Sequence, residues 1–307
     1  MVEPVVEAQA LGRTFGSLVA VHDLTLTVGR GEVFGLLGPN GCGKSTTIRM
    51  LCGVLAPTSG GARVVGFDVA TEPERVKSHI GYMTQRFSLY EDLTVLENLE
   101  FYGAIYGVPA TRLAQRIAEL LASTGLAERS RQIAGTLSGG WKQRLALACA
   151  MVHEPPLIFL DEPTAGVDPV TRRQFWEHIH AIAVQGTTVL VTTHYMDEAE
   201  RCHRLAFMAQ GCILDEGSPE ELVERRELSV AEVEVADVEE AAERLRASGA
   251  IEELSHLGTV LRITTHRRGA EAVIRQVLGE GELVHGQVRP VRPTVEDAFV
   301  HLARGQG

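Results

Sequence analysis

Apolar positions recur along the chain at two spacings, every second residue and every third to fourth, and the changes between them mark out the elements. Residues 5–10 and 19–28 alternate apolar and polar, as strands with one covered face do. Between them Arg13-Thr14-Phe15-Gly16 reads as a turn carrying an aromatic. Val33-Phe34-Gly35-Leu36-Leu37 is an unbroken apolar run, the mark of a short buried strand, and Thr47-Ile48-Arg49-Met50-Leu51 has the spacing of a helix start. Pro57-Thr58-Ser59-Gly60-Gly61 is a break; residues 62–67 and 80–85 read as strands, the second ending on the polar Gln85. From Phe87 the period turns helical. Thr94 with Glu97 makes a capping box, and residues 113–121 form an amphipathic helix. A further helix follows Ser138. Leu157-Ile158-Phe159-Leu160 is a buried strand running into Asp161-Glu162, and Asp168-Pro169 opens a helix with an N-cap and a proline at its first position. Residues 187–193 are a β-branched strand ending at His194. Residues 205–208 and 212–214 form a hairpin about Gln210-Gly211, and Ser218-Pro219-Glu220-Glu221 caps a closing helix.

From about residue 228 the pattern begins again: strand 230–235, helix 238–247, strands 251–254 and 260–264, helix 270–278, strand 283–288. The order βαββαβ suggests a small α+β, ferredoxin-like unit, followed by an amphipathic helix over 295–302. The chain is expected to be α/β in two domains, residues 1–226 with a helical subdomain over about 87–150, and an accessory unit over 227–307. Nothing in the second unit looks catalytic, so regulation or dimer support is its expected role.

Composition changes this picture little. The 307 residues are 45% hydrophobic and 22% charged, ordinary for a globular protein. A net charge of −11 argues against a nucleic-acid partner, whose footprint would be basic. The longest apolar stretch, residues 145–152, is far short of the roughly 20 needed to span a bilayer. Residues 1–5 lack the basic start and apolar core of a signal peptide. A cytoplasmic protein is expected, meeting a membrane only through a partner. Five cysteines with no Cys-x-x-Cys pair fit reduced, packed thiols.

The candidate chemistry lies at the element ends. Gly38-Pro39-Asn40-Gly41-Cys42-Gly43-Lys44-Ser45-Thr46 stands between a strand and a helix, the context of a phosphate-binding loop. Its glycines let successive N–H groups turn onto an anion, and the helix starting near Lys44 adds free N–H groups and the positive end of its dipole. Lys44 supplies a charge for the outer phosphates, and the Ser45 hydroxyl can ligate Mg²⁺. Ser138-Gly139-Gly140 before an apolar helix reads either as a second anion-binding helix start or as a plain serine N-cap. Asp161 and Glu162 end a buried strand where α/β sheets put ligands; consecutive residues point oppositely, so one suits organising a metal and the other handling water. His194 ends another strand at the same sheet edge as Gln85 and Asp161.

Together these stretches resemble the nucleotide-binding subunit of ABC transporters, over roughly residues 3–226, with the family's motifs in the family's order. The resemblance implies a P-loop NTPase of the ABC ATPase kind, with a mixed sheet and a helical subdomain, that binds ATP and Mg²⁺. It implies that Phe15 stacks on adenine, with Phe for the commoner Tyr, and that residues 38–46 wrap the phosphates. It gives Ser45, Gln85 and Asp161 the arrangement of Mg²⁺, Glu162 the polarising of the attacking water, and His194 a contact to the γ-phosphate. Ala165-Gly166-Val167-Asp168 looks like the loop that crosses a dimer interface. Ser138, Gly139 and Gly140 would bind the ATP of the opposite protomer, in a head-to-tail dimer, with itself or with a related ATPase, holding two sandwiched nucleotides. Trp141 departs from the family's usual Gln. The signature Leu137-Ser138-Gly139-Gly140-Trp141 and the ending Pro293-Thr294-Val295-Glu296-Asp297-Ala298-Phe299 look most like ATPase subunits of drug or multidrug exporters, whose transmembrane permease is a separate chain. The block 87–135 is the surface expected to meet it. Competing readings are a translation-factor ABC protein, a DNA-repair or chromosome ATPase, and a regulatory ATP switch. Against them stand the single cassette and acidic balance, the lack of a long coiled coil between the two nucleotide motifs, and the presence of Glu162.

Overall fold

The computed structural model describes residues 4–85, 88–266, 269–279 and 284–304. The chain divides into two compact units, Met1–Glu216 and Gly217–Gly307.

In the first unit the alternating stretches become β1 (Pro4–Phe15) and β2 (Leu18–Gly29), paired antiparallel with Leu11, Leu24, Leu26 and Val28 turned into the core. Arg13 to Phe15, expected as a turn, belong to β1, because Phe15 pairs with Leu18 and the chain reverses only at Gly16-Ser17. β3 (Val33–Leu37) is buried at all five positions, as a strand covered on both faces must be, and α1 (Lys44–Leu51) follows the glycine loop. β4 (Ser59–Val64) and β5 (Phe67–Asp68) extend the antiparallel sheet to the order β2-β1-β4-β5. The strand expected over 62–67 is thus divided, by a turn in which Val65 and Gly66 take φ of 50° and 82°. α2 (Pro73–His79) leads into β6 (Ile80–Met83).

The helical block holds α3 (Val95–Ile105), α4 (Ala110–Ser123) and α5 (Gly139–Ala150). Phe87, where helical character was expected to begin, lies outside the described residues. The capping box is present: Thr94 Oγ1 accepts from the Glu97 N–H at 3.2 Å, and the Glu97 carboxylate accepts from the Thr94 N–H at 2.8 Å. Then come β7 (Leu157–Asp161), α6 (Pro169–Val184), β8 (Thr188–Thr193), α7 (Met196–Ala199), β9 (Arg204–Ala209) and β10 (Cys212–Gly217). They complete a second sheet of order β10-β9-β3-β8-β7-β6, in which β9, β3, β8, β7 and β6 run parallel. Register aligns Leu37 with Thr193, Asp161 with Thr192 and Met83 with Leu160. All these strand ends therefore meet at one edge, where such sheets bind ligands. The β9–β10 hairpin turns on Gln210 and Gly211, with φ of 48° and 87°. The Gly211 N–H donates to the Cys42 carbonyl at 3.0 Å, and the Gly211 carbonyl accepts from the His22 N–H at 2.9 Å.

The second unit contains α8 (Pro219–Glu224), β11 (Leu228–Glu234), α9 (Val238–Ala247), β12 (Glu253–Leu257), β13 (Val260–His266), α10 (Ala270–Leu278), β14 (Arg289–Val291) and α11 (Val295–Arg304). Its sheet order β12-β13-β11-β14, antiparallel throughout, is the ferredoxin-like arrangement, closed over a core that includes Val233, Leu245, Leu261, Ile263 and Ile274. The last strand was expected over 283–288. Leu283 lies outside the described residues, Val284 makes only an isolated bridge to Val235, and the paired strand comes at β14. The division of the chain falls after Glu216 rather than after residue 226, since α8 packs against α11.

Candidate functional site

The loop between β3 and α1 is shaped by Gly41 and Gly43, at φ of 82° and 109°. A Cβ on Gly43 would stand 2.6 Å from the Ala20 carbonyl oxygen, so only glycine fits there. Lys44, the first residue of α1, is 4% exposed. Its Nζ donates to the Gly38 and Pro39 carbonyls at 2.7 and 3.1 Å and lies 3.5 Å from Glu162 Oε1, which is 7% exposed in total. Cys42 is buried in the same loop, and burial pushes its thiol up.

The two acids at the end of β7 serve different neighbours. Asp161 Oδ1 accepts from the Ser45 hydroxyl at 3.0 Å and from Thr192 Oγ1 at 2.8 Å. Burial raises the Asp161 pKa, and these two hydroxyls pull it back only in part. Glu162 has left the strand, with φ of 48°, and its N–H donates to Thr192 Oγ1 at 2.9 Å. Gln85 Nε2 donates to Glu162 Oε2 at 2.9 Å, and His194 Nδ1 lies 3.3 Å from the same oxygen. Glu162 is the point on which Lys44, Gln85 and His194 converge. Thr192 is a member of the site that pattern reading passed over, because a threonine inside a β-branched strand carries no mark of its own.

A cleft of about 360 Å³ opens over Lys44, Gln85 and Glu162, lined also by Phe15, Leu18 and Asn40, with Gly41, Gly43, Ser45 and Thr46 on its wall; Asp161 and His194 are not among its lining residues. That volume is in the range of small-molecule sites. Phe15 is 43% exposed at its side, with the Arg13 guanidinium 4.6 Å over the ring. Ser138, Gly139 and Gly140 are not among the lining residues. Ser138 is the N-cap of α5, yet its hydroxyl makes no capping bond, and Gly139 and Gly140 form the first turn. Asp168 caps α6, accepting from the Val170 and Thr171 N–H groups at 3.1 and 3.0 Å; the Thr171 side chain first, and then these N–H groups, hold its carboxyl low. Trp141 meets two guanidinium groups, Arg129 at 4.6 Å and Arg144 at 4.8 Å from the ring.

The sequence profile of the family described as ABC transporter matches residues 21–165. The daunorubicin/doxorubicin resistance ATP-binding protein DrrA of Streptomyces peucetius is 40% identical over 263 residues, 85% of this chain and 77% of that protein. The chain belongs to the ATP-binding subunits of ABC transporters. The probable multidrug ABC transporter ATP-binding protein YbhF of Escherichia coli K12 is 48% identical to this ABC subunit over 220 residues. That match covers 72% of the chain, which spans only 38% of the relative's length. Among solved structures, a dimeric ATP-binding cassette in a post-hydrolysis state with ADP and phosphate is similar, with a TM-score of 0.64 and 26% identity over 69% of this chain and 98% of that one. The ABC subunit thus has the P-loop ATP-binding cassette fold of this family, with its mixed sheet and helical block. Among the described residues no helix is long and apolar enough to cross a membrane.

Proposed function

We propose that this chain binds Mg²⁺-ATP in the cleft above β3 and hydrolyses it to drive a membrane exporter of drugs or other small molecules. The observation that carries the reading is the convergence of Lys44, Gln85 and His194 on Glu162 beside a glycine-built loop. The loop from Gly38 through Pro39, Asn40, Gly41, Cys42 and Gly43 to Thr46 cradles the phosphates, and Phe15 takes the adenine face. The hydroxyl of Ser45 and the carboxylate of Asp161, 3.0 Å apart, form an all-oxygen donor set suited to a hard cation, with Gln85 as a further ligand. When bound, Mg²⁺ neutralises phosphate charge. Glu162 orients and accepts a proton from the attacking water, and His194 holds the terminal phosphate. Positioning and charge stabilisation do most of the work in such transfers.

Ser138, Gly139 and Gly140 then face the nucleotide of a second protomer, so ATP favours a closed dimer. Driving that equilibrium from 1:99 to 99:1 needs about 5.5 kcal/mol of differential affinity. Glu162→Gln should keep ATP binding, lower turnover by about 10²- to 10⁴-fold and accumulate closed dimer on size-exclusion chromatography. Unchanged turnover in that variant removes Glu162 from its role, and a wild-type chain with no Mg²⁺-ATPase activity, alone or with its permease, overturns the whole reading.

The permease is a separate transmembrane chain, and the helical block is its docking surface, placing the subunit at the cytoplasmic face. Tyr90 and Ile105 are exposed there at 50% and 61%, apolar groups that a membrane subunit's helices could cover. Cysteines placed at these two positions should crosslink to the permease; crosslinks confined to residues 228–307 would sink the assignment.

A further inference from the structure

Glu198, on α7, is 1% exposed, and a carboxylate so placed needs partners for both oxygens. It has them. Oε1 accepts from the Thr164 hydroxyl, and Oε2 accepts from the Thr193 hydroxyl at 2.6 Å. Thr164 stands two residues after Glu162, and Thr193 immediately precedes His194. The same Thr193 oxygen accepts from the Tyr195 N–H at 3.0 Å, so the turn holding His194 is gripped on both sides. The counter-charge is Arg172, whose Nε lies 3.6 Å from Glu198 Oε1. That guanidinium also lies 3.8 Å over the Tyr195 ring and reaches the Val167 carbonyl at 3.5 Å. The pair of buried Glu198 and half-buried Arg172 therefore touches both the segment after Glu162, at residues 164 and 167, and the turn around His194, at residues 193 and 195.

We propose that Glu198 is a positioning residue that locks Glu162 and His194 in mutual register. The inference rests on the proposed roles of those two groups at the terminal phosphate. Their separation, 3.3 Å between His194 Nδ1 and Glu162 Oε2, joins the ends of two different strands. Glu162 also holds a left-handed φ of 48°, which a non-glycine residue keeps only where its surroundings impose it. A carboxylate presents a separate acceptor oxygen to the hydroxyl on each flank at once. A glutamine of the same shape presents a donor to one of them and loses the attraction to Arg172. The phosphate loop, which carries ground-state binding, is untouched by the change, so the loss should fall on the chemical step.

The test is steady-state Mg²⁺-ATPase kinetics and ATP binding on the full chain with its permease, for wild type, Glu198→Gln, Thr164→Val and Thr193→Val. Misplacement on the ångström scale predicts a kcat about 10- to 100-fold lower in Glu198→Gln, with KM and ATP affinity within about threefold of wild type. The two valine variants should shift kcat the same way by less, and where Glu198→Gln does not fold they carry the test alone. A kcat like wild type in Glu198→Gln, or in both valine variants, overturns the inference. So does a parallel loss of kcat, ATP binding and melting temperature, which marks a merely structural carboxylate. Turnover in wild type and Glu198→Gln alike fails the lock alone, whereas a wild type without turnover fails the hydrolysis reading and the lock with it.

Discussion

Trp141 shows how one ring can collect two cations. Its ring meets both Arg129 and Arg144, while Arg144 donates to the Thr124 carbonyl at 3.1 Å and to Gln174 Oε1 at 2.7 Å. The N-terminal half of α5 is thereby tied to the preceding segment by stacking and to α6 by the Arg144–Gln174 hydrogen bond. Cation–π contacts in such partly exposed places contribute about 0.5–1 kcal/mol each, so Trp141→Gln should cost about 1–2 kcal/mol in urea unfolding. A midpoint unchanged from wild type would show that the arginines hold the turn without the ring. Candidates with a local signal stand out from their neighbours in the chain: Lys44 and Ser45 sit in a contiguous loop, and Asp161 and Glu162 end an apolar run. Thr192 and Glu198 do not, because their partners are distant in sequence. Thr192 meets Asp161 across 31 positions, and Glu198 meets Thr164 across 34. Ser138 stayed ambiguous for a like reason, since a serine before two glycines looks the same whether or not it caps.

Elements were readable where packing and propensity agreed, and shifted where pairing decided the outcome. β3 and β7 are covered on both faces, so their apolar runs mark them directly, whereas the break at Val65-Gly66 depends on how β5 folds back against β4. Between elements, His153 joins the helical block to the sheet: its ring stacks on Tyr106 at 3.7 Å, and its Nε2 donates to the Ile80 carbonyl at 3.1 Å. Burial pushes its pKa down from 6.5 to about 4. The unfolded chain therefore takes up a proton that the folded one refuses, and stability falls as pH drops from about 6.5 to about 4. His153→Phe should keep the stacking and reduce this slope, measured as the change in thermal midpoint between pH 7 and pH 5. An identical slope in the variant would assign it to other groups.

At the scale of the whole molecule, the parallel sheet collects at one edge groups that are far apart in the chain, and the second unit is stabilised separately around its own charges. There Asp297 accepts from Arg262 Nη2 at 2.8 Å and from the N–H and hydroxyl of Thr294 at 2.7 and 2.8 Å. Burial alone would raise its pKa, but these bonds outweigh it and the net shift is downward. A depressed carboxylate contributes stability that is complete above the ordinary value of 3.8 and is lost as pH falls through the lower folded value. Asp297→Asn should unfold more readily than wild type at pH 7, with the gap closing below about pH 4; a gap that persists in acid would mean the variant disturbs packing rather than charge. The ferredoxin-like order was visible in the alternation of helix and strand, though the position of β14 depends on pairing with β11 and was not. Tight reversals are usually the safe places to splice in a tag or join a permuted chain. The tip at Gln210-Gly211 is an exception: through Gly211's bonds to Cys42 and His22 it braces the loop between β3 and α1 from behind, so on the proposed reading an insertion made there would slacken the grip on nucleotide while leaving every residue of that loop unchanged.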